Sequence, residues 1–202
     1  MLRRAIVALK LTDDIPTMEG DFFGADVGAV ALARKGLRMK MALGDFDSIE
    51  DGAMELIKAH ADEVRVLNPI KDDTDSEAMV RYVVSLGYND IILIGGLGSR
   101  MDHTLVNIRL TVAFCGLVSL WDSRNFIKAY GAGRHVIEKN GWKYMSLFTE
   151  ERAIVSLDGV RYPLAKKEVT YRDLYTSSNE ILSTSCVLTV HEGVVIIMQC
   201  RD

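Results

Sequence analysis

Three short stretches of this 202-residue chain concentrate the side chains that could do chemistry. GDFDSIED carries Asp45 and Asp47, KDDTDSE carries Lys71, Asp72, Asp73 and Asp75, and SRMDH carries Arg100, Asp102 and His103. A fourth stretch, DSRN, adds Asp122 and Asn125. Any one acidic cluster has an ordinary explanation. Thr74 and Glu77 stand at capping-box spacing, and carboxylates suit the positive end of a helix dipole. The set as a whole is harder to explain that way, because carboxylates around one crevice raise each other's pKa unless cations neutralise them. Mg²⁺ is the natural neutraliser, a hard ion held by one or two carboxylates, water and substrate phosphates. Lys71 offers a point charge, and Arg100 a bidentate fork, to phosphate oxygens that a metal leaves uncovered. The glycines of GGLGSR let backbone N–H groups approach a phosphate. DxD alone is common, and no GxxxxGK[ST] loop is present. Together the pieces point to metal-assisted phosphoryl or pyrophosphoryl transfer.

Each of the four follows an apolar run. MKMAL leads into GDFDSIED, EVRVL through Asn68–Pro69–Ile70 into KDDTDSE, DIILI through Gly95 and Gly96 into SRMDH, and VSLW into DSRN. Such runs read as strands, and in a parallel sheet ligands bind in the crevice outside the strands' carboxyl ends. Strand-like runs cover Arg4–Lys10, Asp21–Asp26, Met39–Leu43, Glu63–Leu67, Asp90–Ile94 and Val118–Trp121. Helical patterns lie between several of them. Ala78, Met79, Tyr82, Val83 and Leu86 share one face, and Gly87 is placed to end that helix. Leu105, Ile108, Val112 and Cys115 form a second stripe, ending at Gly116. Alternating strand and helix imply an α/β region with a mainly parallel sheet and flanking helices. After about Phe126 the segments become short and β-rich, separated by Gly, Asn, Asp and Ser, which is the grammar of a small all-β sandwich. The expected organisation is an α/β nucleotide- and metal-binding catalytic domain over 1–125 and a β-sandwich over 126–202.

The remaining residues are plainer. His60, His135 and His191 have no partner at metal-ligand spacing, and His103 reads as a helix-opening residue. Ser48 and Ser99 have no obvious histidine base. Trp142 and Tyr162 read as sandwich core. A formal charge of −4 gives no general affinity for nucleic acid or anionic membrane. The three cysteines are widely spaced, as reduced thiols of a cytoplasmic protein would be. No apolar stretch approaches the roughly 20 residues of a spanning helix.

Taken in order, GDFDSI (Gly44–Ile49), KDDTDSEAM (Lys71–Met79), GGLGSRMDHTLVN (Gly95–Asn107) and SSNE (Ser177–Glu180) resemble the thiamine pyrophosphokinase family across nearly the whole chain. The resemblance implies pyrophosphoryl transfer from ATP to thiamine, giving thiamine diphosphate and AMP, with Mg²⁺. It also implies a homodimer with thiamine sites between subunits. On matching positions, Asp45, Asp47, Asp75 and Asp102 become the catalytic and metal carboxylates. Lys71, Arg100, Asp122 and Asn125 become ATP contacts. Ser178 and Asn179 become thiamine contacts, with Trp142 as a stacking partner for its rings. Asp75 or Asp102 is left as the group assisting deprotonation. The sequence departs from the family where Met39 and Lys40 replace Pro-Asp, where ADVGA (Ala25–Ala29) replaces ADGGA, and where Ser99 replaces glycine. Two rival readings are a DxD glycosyltransferase using a nucleotide sugar and a non-catalytic thiamine- or nucleotide-binding regulator. The first leaves KDDTD and SRMDH unexplained, and the second does not need four metal-directed aspartates.

Overall fold

RAIVA and DIILI are apolar without alternation, the pattern of strands covered on both faces. In the computed structural model, which describes residues 1–10, 12–68, 73–98 and 100–202, they lie side by side as β1 (Arg4–Ala8) and β5 (Asp90–Ile94). On the other side of β1 come β2 (Asp21–Ala25), β3 (Met39–Gly44) and β4 (Ala61–Val66), each parallel to its neighbour. The order is β4-β3-β2-β1-β5, followed by β6 (Val118–Trp121). The chain therefore steps outward from β1 to β4 and then returns to the far side of β1. Such a reversal opens a crevice at the carboxyl ends of the central strands.

The helices are α1 (Val27–Arg34), α2 (Ala53–His60), α3 (Asp75–Ser85) and α4 (Met101–Ala113). One core joins Ile6, Ala8, Leu32, Met39, Ile57, Ile92 and Ile94. Helix α3 buries Met79, Val80 and Val83, close to the expected stripe, while Leu86 caps its end in the open. Helix α4 differs from expectation. Its buried positions include Thr104, Asn107, Leu110 and Thr111, and Leu105 is 49% exposed. The polar side chains there find partners, so the apolar stripe does not decide which face turns inward.

The chain divides into two compact units, one of residues 1–107 and 120–123, the other of 108–119 and 124–202. In the second unit β7 (Asn125–Tyr130), β13 (Val195–Cys200) and β9 (Tyr144–Phe148) form one antiparallel layer. The other has the order β11-β10-β12-β8, from β11 (Leu164–Thr170), β10 (Arg152–Asp158), β12 (Ser185–Glu192) and β8 (Gly133–Glu138). Strands β10 and β12 alternate buried and half-buried residues. Val155, Leu157, Leu188, Leu147 and Ile197 from the two layers share one core, which makes a sandwich. Trp142 is buried, but Tyr162 is 62% exposed and not core as its aromatic character had implied. No helix among the described residues is long and apolar enough to cross a membrane.

Candidate active site

Where β1, β2 and β3 run out, and where the chain enters α3 and α4, a cleft of about 400 Å³ opens. Its wall carries Asp26, Asp45, Asp47 and Asp75 with Lys10 and Arg100, and also Thr74, His103 and Asn107. Three of the expected carboxylates are thus brought together by segments far apart in sequence.

Asp26, at the end of β2, is the residue that motif reading missed. Its own strand-end position was the available signal, since it follows DFFGA as Asp45 follows MKMAL. It precedes α1 with φ 47°, a conformation that L-residues rarely adopt, and makes no side-chain capping bond. Its backbone N–H donates to the Leu43 carbonyl at 2.9 Å, tying it to β3. The chains approach so closely there that a Cβ on Gly44 would stand 2.9 Å from Asp26 Cα. Asp26 Oδ1 is buried without a hydrogen-bond partner. Burial pushes this carboxyl's pKa up; the Val27 N–H offsets part of that, and Asp75, Asp45 and Asp47 add to the rise.

Between Asp45 and Asp47, Phe46 is 7% exposed and belongs to the first unit's core, with φ 57°. The buried ring anchors the turn, and the flanking aspartates remain at the cleft. The Asp47 N–H donates to Asp45 Oδ1 at 3.3 Å, and the Ser48 hydroxyl to Asp47 Oδ1 at 2.7 Å.

KDDTDSE divides its work. Thr74 Oγ1 accepts the Glu77 N–H at 3.2 Å and caps α3, while Glu77 pairs with Arg81 at 2.6 Å rather than closing a capping box. Asp73 approaches Arg81 at 3.9 Å. Capping therefore belongs to Thr74, and Asp75 faces the cleft. Lys71 and Asp72 lie outside the described residues.

Arg100 lines the cleft, but Asp102 does not. Arg100 donates to both Asp102 oxygens, at 3.2 and 2.6 Å, and Asp102 also accepts the His103 N–H. Arg100 holds the Asp102 carboxyl at about 2, well below the usual range. Its side chain is 62% exposed. The expected fourth metal carboxylate is instead the partner of the expected phosphate arginine. Asp122 follows β6, and Asn125 opens β7 opposite Cys200; neither lines the cleft.

In the second unit, a small pocket of about 40 Å³ lies among Met145, Leu147, Tyr162, Tyr175, Ser177 and Asn179. Asn179 Oδ1 accepts the N–H groups of Tyr162 and Glu180, and its amide donates to the Tyr162 carbonyl at 2.8 Å. Ser178 is exposed with φ 57°, its N–H donating to Ser146 Oγ. Trp142 is away from this pocket. One face of its ring is covered by the Arg201 guanidinium, 4.9 Å from the centroid, and the residue is 8% exposed.

Among the described residues, no three His, Cys, Asp or Glu side chains stand close enough to enclose a metal ion. The cleft still fits a hard divalent ion. The orphaned Asp26 oxygen lacks a positive partner, Asp45, Asp47 and Asp75 act on it at short range, and Mg²⁺ takes only one or two carboxylates beside phosphates and water.

Residues 22–117 match the thiamin pyrophosphokinase catalytic domain, and residues 134–195 the thiamin pyrophosphokinase vitamin B1 binding domain. The thiamine pyrophosphokinase of Bacillus subtilis (strain 168) is 30% identical over 189 residues, 90% of this chain and 87% of that protein. A crystal structure of Bacillus subtilis thiamine pyrophosphokinase superposes with a TM-score of 0.89 at 26% identity, covering 99% of this chain and 100% of that one. A thiamin pyrophosphokinase family protein from Enterococcus faecalis gives a TM-score of 0.89 at 25% identity, covering 99% of both chains. With two domain matches in order and a relative at this identity along most of its length, the chain belongs to the thiamine pyrophosphokinase family.

Proposed function

We propose that this chain is an ATP-dependent diphosphotransferase that converts thiamine and ATP into thiamine diphosphate and AMP. The observation that carries the proposal is the acidic cleft at the strand ends, with Arg100 and the glycine loop beside it, in a chain of this family. The thiamine hydroxyl oxygen forms a bond to the β-phosphorus of ATP. The bond from that phosphorus to the oxygen bridging it to the α-phosphate breaks, AMP leaves, and the hydroxyl gives up its proton.

We assign one or two of Asp26, Asp45, Asp47 and Asp75 to holding Mg²⁺, which when bound would supply the positive charge that lets this carboxylate set share a cleft with a polyphosphate. Asp102 holds the Nε–Nη2 edge of Arg100, and we assign the remaining Nη1 side of the guanidinium to phosphate oxygens. We keep Lys71 as a second phosphate cation, and Asp122 and Asn125 as contacts at the nucleotide's outer end. Asp75 lines the cleft and Asp102 does not, so Asp75 is the candidate to assist deprotonation.

Thiamine is assigned to the sandwich, at Ser178, Asn179 and the open rings of Tyr162 and Tyr175 rather than at Trp142; a cationic thiazolium suits an aromatic face. The pocket there is too small to enclose a vitamin-sized ligand. Its surroundings expose Tyr162 (62%), Leu174 (73%) and Tyr175 (57%), an apolar rim that a second copy would cover. We therefore propose a homodimer whose thiamine sites form between subunits. Three free thiols fit a cytoplasmic setting.

The test is a product assay with ATP, Mg²⁺ and thiamine, with and without EDTA. AMP and thiamine diphosphate should appear one-for-one, and only with metal. ADP with thiamine monophosphate would overturn the assigned bond, and thiamine binding without any product would favour a regulator.

A further inference from the structure

Beside the cleft, the buried face of α4 is polar, and that calls for a reason. Thr104 is 8% and Asn107 4% exposed, and a three-residue spacing puts them on one side of the helix. Further along, Thr111 satisfies its hydroxyl on the Ile108 carbonyl of its own helix at 2.7 Å. Asn107 reaches off the helix instead, and the Thr104 hydroxyl is shared between the loop and the first turn of its own helix. Asn107 Nδ2 donates to the Gly96 carbonyl at 2.8 Å. The Thr104 hydroxyl lies 3.3 Å from the Gly98 carbonyl and 3.2 Å from that of Arg100.

The Gly96 and Gly98 carbonyls of the loop before α4 are therefore turned onto it, while the Arg100 carbonyl closes the first turn of α4 by accepting the Thr104 N–H. In a trans peptide the C=O and N–H point opposite ways, so the Leu97 N–H, sharing a plane with the Gly96 carbonyl, points away from the helix. A Cβ on Gly96 would stand 2.9 Å from Leu120 Cδ2 and 3.2 Å from Asn107 Nδ2. Left without these two side chains, the carbonyls would be free to turn towards the cleft, where they repel an anion.

We propose that Thr104 and Asn107 are positioning residues for ATP. By drawing the loop carbonyls onto α4 they keep its amide edge and Arg100 available to the phosphates. The proposal rests on the ATP-dependent reading above and gives these residues their role through the loop rather than through the reacting atoms.

Thr104→Val keeps the shape and removes the hydroxyl, Thr104→Ser keeps the hydroxyl, and Asn107→Leu removes the amide donor. ATP affinity by titration calorimetry, and KM for each substrate, read the effect. Thr104→Val and Asn107→Leu should each weaken ATP binding and raise KM for ATP about tenfold, with KM for thiamine unchanged. Thr104→Ser should stay near wild type. An unchanged ATP affinity in folded Thr104→Val would overturn the proposal. So would equal rises in both KM values, or a Thr104→Ser as impaired as Thr104→Val. The valine variant keeps the test decisive if Asn107→Leu does not fold. Wild-type protein that binds ATP but forms no thiamine diphosphate would sink the proposed reaction while the titrations still judge this one. Wild-type protein that binds no ATP would sink both.

Discussion

Asp26 holds an unpartnered carboxylate oxygen inside the protein, on a backbone that L-residues avoid. Positions of this kind persist where function needs them. Asp26→Asn removes the charge and should raise the melting temperature of metal-free protein, by about 1 kcal/mol in stability, while abolishing turnover. The pH dependence has a definite sign. A carboxyl whose folded-state pKa is raised adds stability when protonated, fully present below the ordinary aspartate range and lost as pH rises through the raised value. Metal-free protein in EDTA should therefore melt progressively lower as pH climbs from about 4, and Asp26→Asn should flatten that slope. Asp102 has the opposite sign, its pairing being lost only as pH falls towards about 2. For this exposed pair the informative readout is kinetic. Asp102→Asn should change KM for ATP through the freed Arg100 fork; a collapse of kcat with ATP affinity intact would restore Asp102 to the metal set.

Among the elements, α3 ties capping to chemistry, because the residue that caps it immediately precedes the one that faces the cleft. Thr74→Ala should cost about 1 kcal/mol in thermal or denaturant unfolding and also lower turnover, whereas Glu77→Gln should do little to either. The turn holding Asp45 and Asp47 depends on its buried ring, and Phe46→Ala should cost about 3–5 kcal/mol. The strands were the legible part of the sequence. Asp90–Ile94 and Val118–Trp121 fall where their apolar runs lie, and Asp45, Asp47 and Asp75 reach one cleft because strand ends in a parallel sheet share an edge. Helix α1 left no such trace. Six of its eight residues are buried, so it has no polar face to mark a period. Helix α4 carries a visible apolar stripe that is not its buried face, because Thr104 and Asn107 reach the Gly98 and Gly96 carbonyls, which periodicity cannot register. Asp26 was missed since a single aspartate after a strand has no motif around it, and nothing in the segment around Trp142 announces the Arg201 guanidinium over its ring.

At the scale of the whole molecule, the two units keep separate apolar cores. Leu188 is fully buried in the sandwich, and Leu188→Ala should destabilise the protein by about 2–5 kcal/mol in a thermal melt. Measured below that melt, its ATP affinity should equal wild type, since every residue of the acidic cleft belongs to the first unit. The sandwich contributes a different chemistry, with open tyrosines and no acidic cluster around its pocket. On the proposed reading, the cationic substrate and the polyanionic one would meet surfaces of different character.

Asn179 grips Tyr162 through both the N–H and the C=O of that residue, the two bonds a neighbouring strand would otherwise make. Slow hydrogen–deuterium exchange at the Tyr162 amide would therefore report the rotamer of one side chain rather than the integrity of a sheet. Ligands usually slow exchange where they bind. If thiamine takes Asn179 Oδ1 as its acceptor, that oxygen must let go the Tyr162 N–H, and this amide should then exchange faster in the thiamine complex than in the free protein.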